Sequence, residues 1–353
     1  MKDYTLPIAF LLAPFLILST GYIWTGQQIG LMVIFLVLMA SMLENKWIKV
    51  FLFYAVAWQV CLFGNALIHP RAFEKAIASG YTQVLFMLAG AVIYLAASKS
   101  KVQNETFYNV ICVAALIQTA TALLQKFVGI DLVQMGLSLI APTKSSMGDS
   151  ALVGSLGNPN YLAAFLAIST PFFYRRYWIL TFPLIALSLF ASVTSAAVIP
   201  TIIGAGVFVL IKYRLSWKSL VPVAIFILAF VVGYGIFYDA SILQNPRIDI
   251  WKAAFDQVVQ SPSGVSFGLG PGAAWAHNYH LHSEWVTLFH QFGVIGLILA
   301  GGYLFTACRK NIYLFSAFAI GIINMAGNAT LHIPVTAFLI CMIAGLLERE
   351  RNG

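Results

Sequence analysis

Residues 239–284 read DASILQNPRIDIWKAAFDQVVQSPSGVSFGLGPGAAWAHNYHLHSE, and they interrupt a chain that is otherwise a succession of apolar runs. Arg247, Trp251, the glycines Gly268, Gly270 and Gly272, the histidines His277, His280 and His282, and Glu284 all fall within this one stretch. Hydrocarbon leaves backbone polar groups and charges unsatisfied, so a membrane chain concentrates them only where water or protein surrounds them. The stretch is therefore expected outside the bilayer core, and it is the first place to look for a site.

The rest of the chain defines the setting. Of 353 residues, 60% are hydrophobic and 9% are charged, against about 25% charged in soluble domains. With a mean hydropathy of +0.87, the composition is that of an integral membrane protein: one membrane domain over 1–353, with 239–284 as its long loop. The formal charge of +8 does not point to nucleic acid, because the basic residues stand in short pairs at the ends of apolar runs. Cys61, Cys112, Cys308 and Cys341 lie in or beside apolar runs without metal-ligand spacing and read as small core residues. Lys2 and the apolar run after it lack a small-residue cleavage site and read as a first span.

Apolar runs of spanning length occur near 6–23, 28–43, 47–64, 81–98, 106–125, 159–174, 177–193, 196–212, 219–238, 285–307, 312–328 and 332–347. The expected fold is all-α, a polytopic membrane bundle of about twelve transmembrane helices. With the N-terminus inside, fourteen of the twenty Lys and Arg fall on inner segments: Lys2, Lys46, Lys49, Lys99, Lys101, Arg175, Arg176, Lys212, Arg214, Lys218, Arg309, Lys310, Arg349 and Arg351. That bias predicts both termini in the cytoplasm. The longer connections, 65–80, 127–158 and 239–284, then face outward, where no nucleotide is available. A phosphate loop, a GxGxxG between strand and helix, and HExxH are all absent from the sequence.

The first outer segment holds His69, Arg71, Glu74 and Lys75, which suit either an interfacial turn or a site. The second ends in Gly157-Asn158-Pro159-Asn160-Tyr161. Asn158 can cap a helix whose first residue is Pro159, and the amides of Asn158 and Asn160 at a membrane rim can also bond a sugar or a phosphate. Few carboxylates fall inside the spans, which disfavours a transporter.

Within the long loop, Ile248, Trp251, Ala254, Phe255 and Val258 recur at helical spacing, predicting an amphipathic helix along the outer surface with Trp251 at the interface. Arg247 at its start opposes the helix dipole. A guanidinium fork there suits a phosphate or pyrophosphate, and a side chain snorkelling to headgroups is the alternative. Ser261-Pro262-Ser263-Gly264 breaks that helix, and FGLGPG reads as a turn whose amides, including that of Gly270, can approach a ligand. His280, His282 and Glu284 share one face if extended and can be read as zinc ligands, but no metal motif supports them. A single imidazole acting on an acceptor hydroxyl is the other reading.

GNPNYLAAFL at 157–166, RIDIWKAAF at 247–255 with GLGPG at 268–272, and HSEWVTLFHQFGVIGL at 282–297 together resemble the O-antigen ligase and polymerase superfamily, which includes the protein O-oligosaccharyltransferases. In that family a His followed by Asn or Ser stands eleven residues before the glycine of a Gly-x-x-Gly-Leu helix start. This spacing selects His282 with Gly293 over His277, although His277-Asn278 has the same local form. The resemblance implies a metal-independent, cofactor-free, inverting glycosyltransferase on the periplasmic face of the bacterial inner membrane. Its donor would be an undecaprenyl-pyrophosphate-linked glycan and its acceptor a lipid, such as a lipid A-core in lipopolysaccharide assembly, or a protein. Polymerisation of lipid-linked repeat units is the alternative reaction. Arg247 would hold the pyrophosphate and His282 would position or deprotonate the acceptor. Asn158, Asn160, Trp251, Gly270, His277, Glu284 and Arg71 would complete substrate binding. A second arginine, common in the family before the eighth span, is replaced here by Thr194-Ser195-Ala196-Ala197, with Arg71 or Lys144 as candidate substitutes.

Overall fold

The computed structural model describes residues 90–128, 159–176, 246–260, 262–270, 283–306, 310–325 and 334–352, with the isolated positions 6–8, 10, 11, 46, 49, 50, 87, 180, 273 and 281. These residues are helical or lie in the turns between helices, and among them there is no strand. The elements are α1 (Asn104–Val128), α2 (Pro159–Arg176), α3 (Pro246–Val259), α4 (Pro262–Phe267), α5 (Glu284–Thr306), α6 (Ile312–Asn324) and α7 (Pro334–Asn352). Two stretches among the described residues are long and apolar enough to cross a membrane, Asn104–Val128 and Glu284–Tyr303. The runs expected near 28–43, 47–64, 177–193, 196–212 and 219–238 lie outside the described residues, apart from isolated positions.

The chain divides into two compact units that alternate in sequence, one of 1–23, 96–234 and 308–353, the other of 24–95 and 235–307. In the first, α2 is the centre and packs on α1, α6 and α7. Its sequence explains the position: Leu162 to Ile168 and Phe172–Phe173 are buried on every side of the helix, as expected for a helix that is apolar all round. Pro159 begins it, as the Asn-Pro step predicts. The two hydroxyls inside it, Ser169 and Thr170, donate to the carbonyls of Phe165 and Leu166 at 2.8 and 2.9 Å, so neither is left unsatisfied next to Pro171. Phe10 packs against Phe165 of α2 and Phe338 of α7.

Cross-contacts set the directions of the helices. Tyr108, early in α1, meets Phe172, late in α2. The Asn311 side chain caps α6 by accepting from Leu314 N and donates to the Tyr108 hydroxyl at 2.7 Å. At the end of α7, Arg349 donates from Nη1 to the carbonyls of Ser100 and Val102, both at 2.7 Å, and from Nη2 to Asn104. The start of α1, the end of α2, the start of α6 and the end of α7 therefore share one end of the unit. That end gathers four of the basic segments that the charge bias assigns to one side: Lys99 and Lys101, Arg175 and Arg176, Lys310, and Arg349 and Arg351.

Arg349 departs from the part that sequence reading gives it. It reads as a topology signal, yet its guanidinium closes the connection before α1 and lies over the Phe107 ring. Burial lowers its pKa from the usual arginine range, while Glu350 and the Tyr108 hydroxyl raise it. Asn104 also donates to Glu350, and Arg351 pairs with the buried Glu348.

The second unit contains α3, α4 and α5, each touching the other two. Helical residues 90–95 contribute Tyr94, whose ring meets Tyr303 of α5 edge-on at 6.0 Å. Helix α3 ends at Val259, ahead of the Ser-Pro break expected at 261–262. Residues 262–267, read from sequence as a breaker and turn, instead form the short helix α4, with Pro262 at its first position where a missing N–H costs nothing.

Candidate functional site

The site is built on a broken helix. Position 285–307 reads as one continuous apolar span, but Gly293 has φ 62° and ψ −162°, which no helix accommodates, and α5 is bent there into 284–292 and 294–306. The first half is polar inside: Ser283, Glu284, Thr287, His290 and Gln291 are all buried. The second half is apolar and exposes Val294 and Ile298. Ser283 starts the helix, its Oγ accepting from Val286 N at 3.4 Å and its carbonyl from Thr287 N and Oγ1 at 3.0 and 2.7 Å. Glu284 sits in the first turn, where the helix dipole favours a carboxylate.

The break is made by the glycine run. Gly268 donates to Gly264 O at 2.7 Å, Leu269 to His290 O at 2.8 Å and Gly270 to Gln291 O at 2.9 Å. A bend in α5 releases the carbonyls of His290 and Gln291 from intrahelical bonding, and these two amides satisfy them. The backbones meet directly: a Cβ on Gly268 would lie 2.3 Å from the Gln291 carbonyl carbon, and one on Gly293 2.5 Å from Ser266 O. Gly268 and Gly270 also have positive φ, at 76° and 98°. Of the amides that sequence reading offers to a ligand, those of Leu269 and Gly270 are thus spent on α5 and that of Gly268 on α4.

Helix α3 lies against the first half of α5. Trp251 Nε1 donates to Leu281 O at 2.5 Å; the Phe255 and Phe289 rings stand 4.9 Å apart; and Gln257 Oε1 lies 3.1 Å from His290 Nε2. Ala254 and Leu281 are the buried centre, flanked by Ile250 and Val286. The apolar face expected of this helix is split. Ala254 and Val258 turn inward, whereas Ile248, Phe255 and Val259 remain largely exposed, with Lys252 on the same stripe. Trp251, expected at the membrane interface and in substrate binding, gives its indole N–H to the protein.

Of the residues expected to carry chemistry, Arg247 is in the first turn of α3 and Asn160 in the first turn of α2, the latter in the first unit. Trp251 bonds Leu281 just ahead of α5, Glu284 is in the first turn of α5, and Gly270 bonds Gln291 further along the same helix. His282, His277, Asn158 and Arg71 lie outside the described residues, as do His280, Lys144 and the Thr194–Ala197 stretch. Among the described residues no three His, Cys, Asp or Glu side chains converge as metal ligands. Sequence reading passed over Gln257, His290 and Gln291; the available signal was a His-Gln pair inside an apolar run, next to a glycine.

Compared with protein-family models the chain matches none, and among curated proteins it likewise finds no match.

Proposed function

We propose that this chain is a polytopic inner-membrane glycosyltransferase of the O-antigen ligase kind, with about twelve spans and both termini in the cytoplasm. It moves a glycan from an undecaprenyl-pyrophosphate carrier to a lipid or protein acceptor on the periplasmic face. One observation carries the reading: Trp251 ties the helix that bears Arg247 to the carbonyl of Leu281, the residue before His282 in sequence. Arg247 precedes Trp251 by four residues, about 6 Å along a helix. The bond thus joins a helix that bears Arg247 to the residue next in sequence to His282, 35 positions later in the chain.

The chemistry asked of them is an in-line displacement at the anomeric carbon. The acceptor hydroxyl attacks as the bond to the pyrophosphate oxygen breaks, with inversion. The departing pyrophosphate carries developing negative charge, which a fixed guanidinium stabilises most effectively where water is scarce. An imidazole titrating near neutral pH takes or orients the hydroxyl proton. The buried polar half of α5 provides a stiff support for the histidine-bearing segment, and its apolar half suits lipid. The exposed stripe of Ile248, Phe255 and Val259, with Lys252, suits a helix lying in the outer leaflet at the depth of the carrier's phosphates.

Ligase and polymerase readings use the same residues and differ in product. With the purified chain in vesicles, an undecaprenyl-pyrophosphate oligosaccharide and a lipid A-core or peptide acceptor, a ligase yields one added glycan per acceptor. A polymerase yields a ladder on the carrier. No glycan transfer to either would overturn the reading.

A further inference from the structure

Helix α3 touches α5, and Leu281 three residues ahead of it, through two kinds of contact. The apolar ones, Ala254 with Leu281 and Phe255 with Phe289, are non-directional, so they hold the helices together without setting how far one slides along the other. The hydrogen bonds are directional. Trp251 to Leu281 O fixes the N-terminal part of α3, and the Gln257–His290 pair fixes its far end, six residues on. With the amide oxygen as acceptor, His290 holds its proton on Nε2. The ring is fully buried.

We infer that Gln257 and His290 are positioning residues for the transfer reaction: their hydrogen bond fixes the register of the helix that carries Arg247 against the first half of α5, which follows His282 in sequence. The inference rests on the function proposed above. A slip of one residue moves a helix by about 1.5 Å and turns it by about 100°, and misplacement of about 1 Å in an active site costs about 100-fold in rate. Stability alone does not call for such a pair, because exchanging both partners of a buried hydrogen bond for apolar groups of similar shape is close to neutral. What the apolar exchange loses is direction.

That difference makes the test. The full chain in vesicles is assayed for thermal midpoint and for transfer from an undecaprenyl-pyrophosphate oligosaccharide. Gln257→Met and His290→Leu singly remove this bond while keeping the other partner's polar group in place, and lower both the midpoint and kcat. The double variant Gln257→Met/His290→Leu regains the wild-type midpoint, yet its kcat stays about tenfold or more below wild type, with the donor KM little changed. His290→Gln, whose amide N–H can take the place of Nε2–H, keeps kcat near wild type. A double variant that regains kcat together with stability overturns the inference, as does a His290→Gln variant no better than His290→Leu. A wild-type chain that transfers no glycan sinks the functional reading and this inference with it; an active wild type beside a fully active double variant sinks the inference alone.

Discussion

A methyl group at position 268 would stand 2.3 Å from the backbone of Gln291, and one at position 293 would stand 2.5 Å from Ser266 O. Neither clash is relieved by a rotamer, because both partners are backbone, and both positions have positive φ. Gly268→Ala and Gly293→Ala are expected to cost roughly 2–5 kcal/mol each, combining strained φ with overpacking, read as a lowered thermal midpoint of the purified chain. Gly301→Ala is the control. A Cβ there meets nothing within 4 Å, and a helical alanine gains up to about 1 kcal/mol over glycine. At Arg247 the prediction concerns activity. Arg247→Lys replaces a planar fork with a point charge, and transfer from the polyprenyl pyrophosphate donor should fall at least about tenfold with insertion unchanged. Near-normal transfer by that variant would instead favour an arginine that only snorkels to headgroups.

At the scale of elements, two side chains act as ties. Trp251→Phe keeps the ring against Leu281 but removes the N–H, so a loss of about 1 kcal/mol is expected, seen as faster amide exchange across 246–259. Arg349 bonds two carbonyls and Asn104 at once, which a lysine cannot reproduce; Arg349→Lys should cost about 1–3 kcal/mol and loosen residues 98–104 in the same exchange measurement. These ties mark the border of what sequence reading could reach. The starts of α2 and α3 were legible because proline at the first helical position and helical spacing are local signals. The bend in α5 was not legible from hydropathy, since an apolar run passes straight through Gly293; the cause of the bend is a turn some 25 residues earlier. The resemblance did mark Gly293 as a helix start. Arg349 reads as a topology signal because nothing in sequence distinguishes a cation facing headgroups from one folded back onto carbonyls. In the candidate site, Arg247 and Trp251 were legible as chemistry-bearing types. The Gln257–His290 pair was not, because its meaning depends on which helices touch.

At the scale of the whole molecule, the first unit gathers its basic segments at one end, and the proposed orientation puts that end in the cytoplasm. A cysteine introduced at the exposed Gln260 should then react with a membrane-impermeant thiol reagent added from the periplasmic side. One introduced at Asn352 should react only after the membrane is opened; the reverse pattern would invert the topology and remove the periplasmic site. The proposed function assigns glycan transfer to the segment leading into α5, with His282 as its working imidazole. The most direct test compares the purified wild-type chain with His282→Ala, at equal insertion in vesicles, for transfer of a glycan from undecaprenyl pyrophosphate to an acceptor. Transfer by the wild type and its abolition in the variant are the expected result for that role. Transfer by His282→Ala at the wild-type rate would contradict it.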